Sequence, residues 1–167
     1  MKKFIALALV LLMAVSFAAC GSEAPAAPQE PAQTDAPAPA PEVFAFTAGG
    51  ATFTVGDEMG PVEAILGEPA SYFEAESCAF KGLDKVYTYS GFTVSTNPKD
   101  DNTDLICSIL LTDDSVTTIE GVYIGSPVSA VVEKYGEPSG DIYSYEKNGV
   151  TLVFVVENDT VVSIEYL

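Results

Sequence analysis

Three thiols, Cys20, Cys78 and Cys107, are the most nucleophilic side chains in a chain of 167 residues that contains no histidine. Without imidazole there is no Ser-His or Cys-His catalytic pair and no imidazole metal ligand. Cys78 and Cys107 stand about 30 residues apart, and a bridge between them would stabilise the fold by roughly 3.6 kcal/mol by constraining the unfolded chain. In an exported chain this disulfide is the first expectation. The alternation Leu105, Cys107, Ile109, Leu111 leaves a second reading, with Cys107 as a buried free thiol in a strand and Cys78 packed separately.

Oxygen ligands form the next group. Asp100, Asn102 and Asp104 alternate in an acidic loop, as at the start of a calcium loop. The glycine that should follow Asp104 is Leu105, however, and the bidentate Glu of the twelfth place is Leu111, so the EF-hand pattern fails. A solvated hairpin loop is expected, with a weak calcium site as the lesser alternative and no other cofactor. Glu68 and Glu137 could be read as the two acids of a glycosidase. Among 24 acidic residues such a pair arises by chance, and no catalytic residue is assigned. Tyr87 with Tyr89, and Tyr143 with Tyr145, are i, i+2 pairs, so each pair points to one side of a strand. On an open face they would form an aromatic platform for a protein partner. On a covered face they are core, which the small Thr88 and Ser144 between them favour.

The 24 acids face only seven basic residues, all lysine, for a formal charge of −17. A chain this acidic is repelled by nucleic acid and anionic lipid, and without arginine it has no bidentate clamp for phosphate. Residues 43–167 keep 20 acids and five lysines, a net −15, so the acidity belongs to the part that can fold. Such a charge favours a basic protein partner or cations.

These residues need elements to position them, and the sequence supplies them twice. Val55-Gly56-Asp57-Glu58-Met59-Gly60-Pro61-Val62 leading to Gly67-Glu68-Pro69 parallels Ile124-Gly125-Ser126-Pro127-Val128 leading to Val131 and Gly136-Glu137-Pro138, at an offset of 69. Each copy predicts a short helix. In the second, Ser126 caps, Pro127 opens the first turn, and Val128, Val131, Val132 and Tyr135 share a face. In the first, Met59, Val62, Ile65 and Leu66 do so, with Gly60-Pro61 delaying the start. Gly67 and Gly136 end the helices in a left-handed cap. Three strands follow each helix: 85–89, 92–96 and 105–112 in the first copy, 142–147, 150–156 and 160–167 in the second, the latter joined by an Asn148-Gly149 hairpin. About thirteen extra residues, Cys78 among them, lie between Pro69 and Tyr87, and 44–46 with 52–54 predict a short leading strand or edge hairpin. The expected class is α+β: two tandem helix-plus-antiparallel-meander repeats, residues 43–117 and 118–167, forming one sheet with both helices on one face.

The amino end is an address. Lys2 and Lys3 precede an apolar run of 12 residues, Phe4 to Val15, too short to span a bilayer. Phe17-Ala18-Ala19-Cys20 resembles the lipobox of bacterial lipoproteins, although Phe17 stands where Leu is usual. The resemblance implies a signal peptide over 1–19 and a diacylglycerol on Cys20. Two such chains hold a protein stably on a membrane. Residues 21–42 contain six Pro and seven Ala and read, with Cys20, as a disordered spacer. The place expected from this is the outer face of the cell membrane, with a Gram-positive source favoured.

The Gly-x-[Ser/Asp], Val and Gly-Glu-Pro pattern, followed by Tyr-x-Tyr, a hairpin Gly and a closing Ser-Ile strand, resembles the beta-lactamase inhibitory protein family over about 52–167. It is also similar to the single-repeat, BamE-like outer-membrane-assembly lipoproteins, and 77–89 is similar to segments of secreted Gram-positive lipoproteins with this domain. The resemblance implies a tandem-repeat domain that grips another protein with its sheet, without implying inhibition of a lactamase. The expected function is thus a non-catalytic protein-binding module of the cell envelope. An inhibitor of a secreted hydrolase and a calcium-responsive structural protein are the alternatives.

Overall fold

A computed structural model describes residues 42–99 and 103–167. The chain begins with a small separate hairpin, β1 (Phe46–Ala48) and β2 (Ala51–Phe53), followed by α1 (Met59–Leu66). Next come β3 (Ser71–Glu76), β4 (Leu83–Tyr89), β5 (Phe92–Pro98) and β6 (Asp104–Leu111). The second helix, α2 (Val128–Tyr135), precedes β7 (Tyr143–Lys147), β8 (Val150–Glu157) and β9 (Thr160–Tyr166). Strands β3 to β9 form one seven-stranded sheet in the order β3-β4-β5-β6-β9-β8-β7, with every pair antiparallel. The class is α+β.

Register sorts the side chains into two faces. Tyr87, Val94, Ile109, Tyr166, Leu152 and Tyr145 are successive cross-strand partners, and Tyr89, Phe92, Leu111, Ile164, Phe154 and Tyr143 form a parallel row. These rows face the covered side, where Met59 and Val62 of α1 and Val131 of α2 join the same buried cluster. The leading hairpin is part of this cover rather than an edge of the large sheet: Phe46 packs on Phe53, Phe92 and Tyr166. Burying such aromatics is worth about 1.5–3 kcal/mol each.

Helices of eight residues have little stability alone, and backbone bonds to strands hold both. Gly56 N donates to Ile106 O (2.8 Å) and Ile106 N to Asp57 O (2.9 Å) ahead of α1. Ahead of α2, Gly125 N donates to Val161 O (2.8 Å) and Val161 N to Ser126 O (2.9 Å). Each helix therefore starts at a fixed point on the last strand of its own meander.

Several local expectations are corrected. Ser126 does not cap α2; its Oγ accepts from Tyr123 N at 3.0 Å, while Val128 N donates to Asp159 O. The turn before the helix claims the hydroxyl, and the β8–β9 turn claims the free amide. Gly60-Pro61 does not delay α1, which starts at Met59; a proline in the first turn has no intrahelical amide to lose. Ile65 is 60% exposed because α1 turns it away from the sheet. Gly67 and Gly136 combine positive φ (79° and 87°) with ψ of −165° and 179°. That is a glycine-only region rather than the left-handed cap, and it sends the chain away extended. Among the extra residues after Pro69 lies a strand the sequence did not show, β3, exposed along its whole length at the sheet edge.

Truncating Ile109, fully buried at the centre of the covered face, is expected to cost 2–5 kcal/mol as Ile109→Ala. Thr93→Ala on the other face should stay within about 0.5 kcal/mol. Urea unfolding of both variants against the unmodified chain measures the contrast.

Candidate functional site

The second face of the sheet alternates with the core rows. Ser71, Thr88, Thr93, Leu110, Glu165, Val153 and Ser144 are successive partners across all seven strands. Phe73 pairs with Val86 beside this row and is 63% exposed, and Val155 is also exposed. None of these seven row residues belongs to the buried cluster. The surface is thus made of small hydroxyls with isolated aliphatic and aromatic groups, and Ser108 Oγ donates to Glu165 Oε1 at 2.6 Å within it. Strands need not bury this face to fold, because the other face already supplies the core.

The tyrosine pairs lie on the covered side instead. Tyr87 is 5% exposed and edges onto Tyr72 at 5.1 Å; burial, assisted by the Glu63 carboxylate, pushes its phenol up to about 12. Tyr89 and Tyr143 are half-buried against the core. The Tyr89 hydroxyl donates to Gly67 O at 3.4 Å, and the half-buried Tyr145 donates to Gly136 O at 2.8 Å. Each of these two phenols reaches a carbonyl at the end of a helix. Tyr87, Tyr89, Tyr143 and Tyr145 therefore form no platform on the open face; they end the two rows on the covered side, the orientation that Thr88 and Ser144 favoured.

Cys78 and Cys107 are both unbridged, Cys78 exposed and Cys107 half-buried, so the structure holds neither the expected bridge nor the second reading's buried and packed thiols. The turn bearing Cys78 closes the β3–β4 hairpin, whereas Cys107 lies on β6, beyond β5. Cys107 occupies the register shift where Ser95 pairs with Ser108 and Thr96 with Ile106. Burial, then the Asp84 carboxylate, pushes its thiol up.

Of the oxygen ligands, Asp104 is held by Lys85 at 2.7 Å. Asp100 and Asn102 lie outside the described residues, as does Cys20. Among the described residues no three His, Cys, Asp or Glu side chains are grouped to hold a metal ion, and no described helix is long and apolar enough to cross a membrane. Glu68 and Glu137 are exposed, each directly after the glycine that ends its helix.

Thiol titration of the denatured, nonreduced chain is expected to find both Cys78 and Cys107 reactive. In the native state exposed Cys78 should alkylate first. The raised Cys107 thiol forms thiolate only at higher pH, so its alkylation rate should keep rising above the pH where an ordinary thiol levels off. Mass spectrometry of the two labelled peptides reads both. Comparison of the chain with protein-family models, curated proteins and solved structures returns no match.

Proposed function

We propose that the chain is a lipid-anchored, extracytoplasmic and non-catalytic module that binds an envelope or secreted protein through the uncovered face of its sheet. The observation that carries this reading is the row from Ser71 to Ser144, with Phe73 and Val86 beside it, on a face that neither helix covers. Small hydroxyls present hydrogen-bonding groups at little entropic cost, and the exposed Phe73 ring adds a large apolar contact group. With a net −15 on residues 43–167, a basic partner surface is favoured.

We also infer that the folded part consists of two repeats, 43–117 and 118–167. The paired bonds of Ile106 and Val161 support this, as do the matching tyrosine bonds to Gly67 and Gly136. So does the register, in which the row from Tyr87 to Tyr145 reads in reverse against the row from Tyr143 to Tyr89. A tandem repeat of this kind accords with the resemblance to the beta-lactamase inhibitory and BamE-like proteins, and the lipobox-like Phe17-Ala18-Ala19-Cys20 supports the anchor.

Photo-crosslinking side chains placed at Thr93 and Val153 in producing cells should yield the same protein adduct, with none from Ser129 on the exposed side of α2. Adducts from Ser129 alone would overturn the reading. Cys20→Ser is expected to move the chain from the membrane fraction to the medium, followed by immunoblotting.

A further inference from the structure

The sheet ends in two edges, β3 and β7, and they differ. Ser77 N donates to Gly82 O at 3.0 Å, so these two residues form a hydrogen-bonded pair that continues the register of Ser71 with Thr88 to Glu76 with Leu83. Bonded and non-bonded pairs alternate along an antiparallel ladder. Phe73 and Ala75 therefore bond to β4, whereas the amides and carbonyls of Tyr72, Glu74 and Glu76 point outward. Among the described residues none of these outward groups has a backbone partner. At β7 the two-residue Asn148-Gly149 turn sets the same alternation and points Ser144 and Glu146 outward. There Ser144 N already donates to Ile142 O at 2.9 Å. β3 is thus the edge with an unbroken row of three outward residues.

Its side chains are exposed on both faces. Tyr72, 47% exposed, stands beside Tyr87, and its hydroxyl donates to Glu74. Glu74 and Glu76 follow it on the covered side, where no helix buries them. Residues 68–76 hold three acids and no base. Lys85, opposite Glu74, is held by Asp104 at 2.7 Å, and Lys81 in the next turn makes no ion pair with either glutamate. Asp100 and Asp101, outside the described residues, add only further negative charge.

This charge selects among strands that could pair here. Side chains of an added strand would lie about 4.5–5.5 Å from those directly opposite, measured between Cβ atoms. Glu74 and Glu76 are two positions apart, so lysine or arginine at alternate positions would meet both. A second copy of this chain would instead bring two more glutamates to the same row, and a further −15 to a domain of −15. The chain's own residues 21–41 hold six prolines, which lack an amide to donate, and three acids without a base.

We propose that the outer edge of β3 receives an extended basic segment of a partner protein, lysine or arginine alternating with small or apolar residues, as an added strand. Main-chain bonds to Tyr72, Glu74 and Glu76 hold the segment, and the two carboxylates reject segments of the wrong charge. This edge is distinct from the uncovered face and does not rest on the reading given for that face.

The test uses the full chain in its Cys20→Ser form and a fluorescent peptide in which lysine alternates with threonine and valine. Saturable one-to-one binding is expected by anisotropy, and amide exchange followed by NMR should slow at Tyr72, Glu74 and Glu76. The same peptide N-methylated on its lysine amides keeps the charge but loses the donors that face β3, and should bind at least about tenfold more weakly. Glu74→Gln/Glu76→Gln should weaken the unmodified peptide about fivefold, with the urea midpoint unmoved because both side chains are exposed. No saturable binding, equal binding of the N-methylated peptide or of one with glutamate for lysine, binding unchanged in the double variant, or slowed exchange at Ser144 and Glu146 instead would each overturn the proposal. So would exchange at β3 that is slow before peptide is added and quickens on dilution or on deletion of 21–41, which would give the edge to a second copy or to the chain's own spacer.

Discussion

The pairing of β6 with β9 is the constraint on which the rest of the molecule depends. Three residue pairs make it: Ile109 with Tyr166, Leu110 with Glu165 and Leu111 with Ile164. Four of those six side chains, Ile109, Tyr166, Leu111 and Ile164, lie in the core at 2% exposure or less. Separated, the two meanders would each expose a strand edge and half of this core. A chain segment of 50 to 60 residues buries only about 60% of its surface and is marginal alone. Joined through this ladder, the two share one continuous apolar face.

The ladder also explains how two very short helices persist. Neither α1 nor α2 makes a side-chain cap at its amino end. What fixes them is the backbone exchange with Ile106 and Val161 at their start and the phenols of Tyr89 and Tyr145 at their end. Helix position is thus set by the sheet, and the sheet's covered face is set by where the helices land. The opposite face keeps its hydroxyls and scattered aliphatics because nothing in the described chain returns to cover it.

β3 and its turn stand at the edge of the sheet opposite β7. They extend the sheet by a strand whose side chains all remain exposed, and they bring Phe80 and Lys81 to the end of β5. Stability gains little from a fully exposed edge strand. Its consequence is local: it places the free Cys78 at the rim of the hairpin.

The sequence by itself determined much of the local structure. The Gly67 and Gly136 stops, the Asn148-Gly149 hairpin and the six strands after the helices follow from period and turn chemistry, which act over a few residues, whereas the face of the Tyr-x-Tyr pairs needed the sheet. β3 escaped because Ser71–Glu76 has no buried alternation to reveal it. The cap of Ser126 failed because its hydroxyl had a nearer donor in Tyr123. The sequence left open whether the thiols meet and which strands form the edges of the sheet. Those depend on strand order, and strand order is decided by long-range pairing such as β6 with β9, whose energy comes from a core assembled by residues more than fifty positions apart.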